Sequence, residues 1–264
     1  DGAGRPGRPR RDPQRTGSRT PEQERTAEQR RYDGPPLPED ITGRELDPAV
    51  RRELRSLPDR LATRVARHLV AAGQLLDSDP ETAYQHTLAA RARATRLAVV
   101  REACGEAAYL AGHFAEALTE LRAARRMSGA PDYLPLIADS ERALGRPERA
   151  LALARDPAVE DLDPANRVEM LIVVAGARRD LGQPEMAVRL LEVKDLHSSS
   201  HAPWAARLRY AYADALLAAG RDEEAVEWFH RTVAVDAEHL TDATERLAVL
   251  ERAAGGGDAE RPEG

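Results

Sequence analysis

An alanine returns along this chain at Ala83, Ala117, Ala150, Ala187 and Ala225, in steps of 34, 33, 37 and 38 residues. A step of this size signals a repeated supersecondary unit, and units of this length are commonly helix pairs that stack on one another. Twelve residues before each anchor stand Ala71, Gly105, Ala138, Ala175 and Ala213, all of them small. The separation of two packed helices is set by the side chains at their contact, so a small residue in each partner lets them cross closely. The clearest copy is Gly105 to Ala124, where two short amphipathic patterns join at Gly112-His113-Phe114.

The turn between the two helices also repeats. Gly112, Gly145, Gly182 and Gly220 lie five residues before their anchors, where the first helix must stop; the first repeat has Ser78 instead. Pro80, Phe114, Pro147, Pro184 and Asp222 lie three residues before the anchors, at the expected first position of the second helix. Proline loses nothing there, because that backbone N–H has no partner within the helix. Glu81, Glu148 and Glu185 follow the three prolines and favour the positive end of the helix dipole. Four residues after the anchors come Thr87, Leu121, Ala154, Leu191 and Phe229, a mainly apolar column. Pro157 should cut its helix short near Arg155.

Outside the repeats, Asp47-Pro48 reads as a helix start, with Val50, Leu54 and Leu57 at helical spacing behind it. Leu240, Ala243, Leu247 and Leu250 form a stripe suited to a terminal capping helix. Residues 1–36 hold almost nothing apolar, so they cannot offset the entropy of ordering and are expected to form a disordered Arg/Pro-rich arm. Residues 37–254 are expected to form the folded array, and 255–264 a disordered acidic tail.

The repeat pattern resembles the tetratricopeptide repeat (TPR) family, best at Cys104-Gly105, Tyr109, Gly112-His113-Phe114, Ala117, Leu121 and Ala124. The resemblance spans about residues 60–237 and is degenerate: Gly129 and Ala237 stand where the family closes a repeat with proline. The layout, with an Arg/Gly/Pro-rich arm ahead of degenerate repeats, is similar to actinobacterial TPR proteins. The resemblance implies an all-α chain, a right-handed α-solenoid of about five degenerate TPR helix pairs with N- and C-terminal capping helices. It also implies a concave groove lined by the first helix of each pair. The matching inner positions are His68 and Ala72, then Glu102, Glu106 and Tyr109, then Asp132, Asp139 and Arg142. They continue with Glu169 and Arg179, and with Arg207, Tyr210 and Asp214. The Lys and Asn with which some family members clamp a peptide C-terminus are absent here. Acids outnumber bases, so the partner expected in this groove is a protein or peptide segment of basic or mixed charge.

Composition narrows the function. Aromatics make up only 4% of a chain that is 42% hydrophobic, so any core is built from Ala, Leu and Val. The net charge of −6 argues against a dedicated DNA binder. Residues 1–31 carry nine Arg against five acids, while the remainder carries a net −10. The arm therefore offers an alternative reading, an RNA- or ribosome-associated factor that makes a weak RNA contact there. The near absence of lysine (Lys194 alone) reads as the coding bias of a G+C-rich genome.

A single cysteine, Cys104, forbids an intrachain disulfide and falls on a face expected to be buried. No run is apolar enough to span a membrane. The basic N-terminus lacks the apolar core of a secretory signal, so the expected compartment is the cytoplasm. The first residue is Asp1 rather than Met, which leaves room for residues upstream. No spacing of His, Cys, Ser or acids matches a catalytic, metal or cofactor motif, so catalytic residues, metal and cofactor are all expected to be none. His197 and His201 flank Ser198-Ser199-Ser200 as loop residues, and Trp204 and Trp228 as packing residues. The expected function is a non-enzymatic interaction scaffold or adaptor.

Overall fold

A computed structural model describes residues 32–257, with side chains described as far as Arg252. Most of the expected arm (1–31) and the end of the expected tail (258–264) lie outside the described residues. Within them the chain forms twelve α-helices, two 3-10 turns and no strand. The helices are α1 (Pro48–Leu54), α2 (Asp59–Leu75), α3 (Pro80–Ala94), α4 (Ala98–Leu110), α5 (Phe114–Ser128) and α6 (Leu134–Ala143). They continue as α7 (Pro147–Leu153), α8 (Pro164–Asp180), α9 (Pro184–Leu191), α10 (Pro203–Ala218), α11 (Asp222–Val233) and α12 (Ala243–Gly257). The 3-10 turns are Pro157–Asp161, after α7, and Lys194–His197, after α9.

All five residues expected at the first position of a second helix begin one: Pro80, Phe114, Pro147, Pro184 and Asp222. Ahead of the last four, Gly112, Gly145, Gly182 and Gly220 take φ between 69° and 78°, the left-handed region where a side chain would add strain. Each is followed by the same hydrogen bond back into the closing helix. His113 N donates to Ala108 O (2.8 Å), Arg146 N to Glu141 O (3.0 Å), Gln183 N to Arg178 O (2.9 Å) and Arg221 N to Leu216 O (3.0 Å). These are Schellman bonds, which satisfy helix-end carbonyls and turn the chain back on itself. The turn of the first pair has no glycine; there the Asp79 side chain caps α3 by accepting from Thr82 N. Pro157 sits just past α7, which ends at Leu153.

Packing follows the small residues. The anchors Ala83, Ala117, Ala150, Ala187 and Ala225 are all 0% exposed. Of the residues twelve positions earlier, Ala71, Ala138, Ala175 and Ala213 are buried, and so is Gly105. A Cβ on Gly105 would stand 2.5 Å from Leu121 on α5, which is how closely α4 and α5 cross. Each helix packs on its successor, and the first helices α2, α4, α6, α8 and α10 also touch one another in sequence, forming one layer. Two buried carboxylates tie neighbouring pairs together. Glu120 on α5 takes Arg91 of α3 (2.5 Å) and Arg101 of α4 (2.7 Å). Glu141 on α6 takes Arg122 of α5, Arg146 of the turn (3.3 Å) and Arg149 of α7 (3.9 Å). Cys104 is buried in this core, and burial pushes its thiol up to about 11.

Three expectations need correction. Residues 32–36, assigned to the arm, make specific contacts on the first pair. The Tyr32 hydroxyl donates to Gln85 Oε1 (2.6 Å), Arg93 donates to Tyr32 O (2.7 Å), and Arg64 pairs with Asp33 (2.9 Å). Their partners lie on α2 and α3, so composition alone does not reveal the anchoring. Leu240 precedes α12 and is 45% exposed. Asp236 folds residues 236–241 into a turn, accepting from Leu240 N (2.8 Å) and Thr241 N (2.9 Å). His68 and Ala72 are buried rather than groove-lining, at 1% and 3% exposure. Gly34 lies against His68, so the segment ahead of α1 covers the first pair as a preceding repeat would. Among the described residues no helix is long and apolar enough to cross a membrane.

Candidate functional site

The ten residues expected to line a groove all fall on first helices: Glu102, Glu106 and Tyr109 on α4, Asp139 and Arg142 on α6, Glu169 and Arg179 on α8, and Arg207, Tyr210 and Asp214 on α10. Helical spacing of three and four residues sets the groups on α4, α6 and α10 each on one stripe, whereas Glu169 and Arg179, ten residues apart, lie about 80° apart around α8. The stripes differ in how their charges are used.

From α6 onward the charges pair across helices. The Tyr109 hydroxyl donates to Asp139 (2.5 Å), which also accepts from Arg142 (2.8 Å); Arg142 reaches on to Asp180 of α8 (3.2 Å). The Arg142 guanidinium lies over Gly176, where a Cβ would approach it to 3.3 Å. Arg207 of α10 grips both oxygens of Glu169 on α8, each at 2.7 Å, the two-pronged geometry that suits guanidinium to carboxylate. Asp214 of α10 pairs with Arg179 of α8 and with Arg246 of α12 (2.9 Å). Tyr210 sets its ring edge-on to Phe229, and burial together with its hydrogen bond to Asp242 pushes its phenol up to about 12.

On α4 the pattern is reversed. Glu102 and Glu106 stand one turn apart and are left out of the ion pairs of this face. Both carboxyls are raised above the usual range. Burial is the main cause for each, reinforced by Glu53 and Asp132 around Glu102 and by Asp77 near Glu106. Tyr133 is raised in turn by burial and by Glu106, Glu102 and Asp132. Among the described residues, this end of the face therefore carries negative charge with no ion-pair partner.

At the other end the face opens into a cleft of about 400 Å³. Its floor is Ile172, Ala175, Gly176 and Ala211, its polar walls are Arg142, Arg179, Arg207, Tyr210 and Asp214, and Leu240, Thr241 and Asp242 form one side. Half of the ten groove residues meet here. Ile172 and Gly176 occupy the inner columns of the fourth repeat, 15 and 11 residues before Ala187, so the repeat register itself marks them. The wall at residues 240–242 had no signal in the repeat register. Among the described residues no three or more His, Cys, Asp or Glu side chains are grouped to hold a metal ion.

A stack of helix pairs with a polar inner stripe and an apolar-floored cleft has the chemistry to hold an extended peptide. No curated protein matches the chain significantly. Residues 135–248, from the first turn of α6 into α12, match the family model described as Tetratrico peptide repeat, and over that span the chain is TPR-like.

Proposed function

We propose that this chain is a non-enzymatic scaffold or adaptor, a right-handed solenoid of five degenerate helix pairs that binds an extended partner segment along its first-helix face. The partner segment carries basic side chains over α4 and an apolar side chain in the cleft between α8 and α10. The observation that carries this reading is the unanswered acid pair Glu102 and Glu106, held partly buried on the same face as an apolar-floored cleft. Partly buried carboxylates with raised pKa gain most from an incoming cation, because the cation relieves both desolvation and mutual repulsion. The reading carries with it the division into arm, array and tail, and a cytoplasmic location.

The test uses the full chain and a fluorescein-labelled peptide of alternating Lys and Leu, followed by anisotropy. Glu102→Arg with Glu106→Arg should weaken binding at least about tenfold, equal to about 1.4 kcal/mol. Wild-type affinity should also rise with pH as the two carboxyls lose their protons. Equal binding by the double variant and the wild type would remove the groove from consideration.

A further inference from the structure

A second cluster of side chains lies where α5, α6 and α7 meet. Arg122, Arg125 and Arg126 are spaced i, i+3 and i+4, so they form one stripe along the last turns of α5, and Gly129 is the left-handed residue that caps that helix. With Ile137 of α6 and Leu153 of α7 they line a cavity of about 400 Å³. None of the ten groove residues takes part in it.

Part of this arginine cluster is structural. Glu141 is fully buried and must be paired, because an unpaired buried carboxylate is strongly unfavourable. Arg122 and Arg146 already hydrogen-bond its two oxygens, and Arg125 is matched by Asp156 at 2.8 Å. The cluster exceeds that need. Arg149 is a third guanidinium at Glu141, at 3.9 Å and 64% exposed. Arg126 is exposed and has no ion pair among the described residues. Of the three arginines that line the cavity, Arg122 and Arg125 are matched by Glu141 and Asp156, which leaves the charge of Arg126 in excess. Outside the lining, Arg146 and Arg149 add two more guanidiniums at the one carboxylate of Glu141, in a chain whose net charge is −6.

We propose that this cavity is a docking site for an acidic peptide segment of a partner protein, one that alternates Asp or Glu with an apolar residue. Guanidinium presents a planar fork of donors that fits a carboxylate, and the half-buried Leu153 offers apolar atoms to a Leu-sized neighbour, Ile137 itself being buried. Peptide is favoured over nucleic acid by extent. A strand of phosphates needs a basic track along the molecule, whereas the residues beyond 31 carry a net −10 and the excess here is local. The site is independent of the groove, so it stands or falls separately.

The experiment is fluorescence anisotropy on the full chain with a labelled peptide of alternating Asp and Leu. Arg126→Glu should weaken binding at least about tenfold. Raising salt from about 50 to about 200 mM should weaken it further. Glu102→Arg with Glu106→Arg should leave it within about twofold, which separates this site from the groove. Arg126 supports no buried group, so its variant should unfold at the wild-type midpoint; Arg126→Ala, expected to weaken binding by a smaller factor, covers the case in which it does not. The proposal is overturned by no binding at low salt, by an unchanged affinity in both Arg126 variants, or by a single-stranded RNA oligonucleotide displacing the peptide at equal or lower concentration.

Discussion

Replacing Gly105 by alanine tests whether close helix crossing, rather than helix propensity, holds this array together. In an isolated helix the change should help, since alanine is favoured over glycine by about 0.5–1 kcal/mol. Here the new Cβ would lie 2.5 Å from both Cγ and Cδ2 of Leu121 and 3.1 Å from its backbone N. Leu121 has little room to retreat: it is 0% exposed and packed with Leu118 and Ile137. Overpacking of this kind costs about 1–3 kcal/mol, and a clash that reaches backbone belongs in the upper part of that range. The net expectation is a loss of about 1–2 kcal/mol. Gly73, inside α2, provides the internal control, because a Cβ there meets nothing within 4 Å. Gly73→Ala should gain the propensity term alone, about 0.5–1 kcal/mol. At about 2–4 °C per kcal/mol for a chain of this size, Gly105→Ala should lower the midpoint by about 2–8 °C and Gly73→Ala should raise it by about 1–4 °C. Far-ultraviolet circular dichroism on heating, with urea midpoints alongside, reads both. If both variants move the same way, the reasoning about crossing distance is wrong.

Two further outcomes concern buried titratable groups. Burial, then His86 and the arginines Arg93, Arg64 and Arg67, push His68 down from 6.5 to about 4. The folded state resists a proton that the unfolded chain accepts, so stability is lost as pH falls from 6.5 towards 4, by at most about 3 kcal/mol. Urea midpoints across that window should show the slope, and His68→Leu should flatten it. For Glu141, burial alone would raise the carboxyl, but the hydrogen bonds of Arg122 and Arg146 and the added charge of Arg149 hold it below its ordinary 4.5. Glu141→Gln should therefore lower stability by about 1–2 kcal/mol at neutral pH, the pair being discounted for guanidiniums that reach solvent. The deficit should narrow as pH falls below 4.5 and the wild-type carboxylate protonates; a constant deficit would mean that the charge is irrelevant.

The parts of the fold legible in the sequence are those fixed by neighbours a few residues away. A turn that needs a left-handed residue shows as Gly145, a helix start that tolerates a missing N–H shows as Pro147, and a crossing with no room shows as Ala150. Contacts between distant residues were not legible. Tyr32 is held by Gln85 and Arg93, residues 53 and 61 positions away, and nothing in the composition of residues 32–36 announces it. The ten residues chosen from the inner column of each repeat lie on first helices. The column could not say that Arg207 would be neutralised by Glu169, 38 residues earlier, while Glu102 would be left without a cation. Nor could it say that His68, in the same column, would be sealed by a segment that precedes the array.

The drift in the repeat length has a structural cause, and that cause bears on the cleft. The steps lengthen from 34 and 33 residues to 37 and 38 where a 3-10 turn follows a short second helix, after α7 of 7 residues and α9 of 8. Each turn is tied to the core by one leucine, Leu162 at 2% and Leu196 at 1% exposure. Within the lengthened steps the first helices have 17 residues in α8 and 16 in α10, against 13 in α4 and 10 in α6, while α2, ahead of the first step, also has 17. Longer first helices extend the inner wall, and it is between α8 and α10, closed by residues 240–242, that the face opens into its cleft. The departures that make the repeats degenerate therefore accompany the cleft, and shortening either 3-10 turn would disturb it before it disturbed the regular pairs α2 to α5.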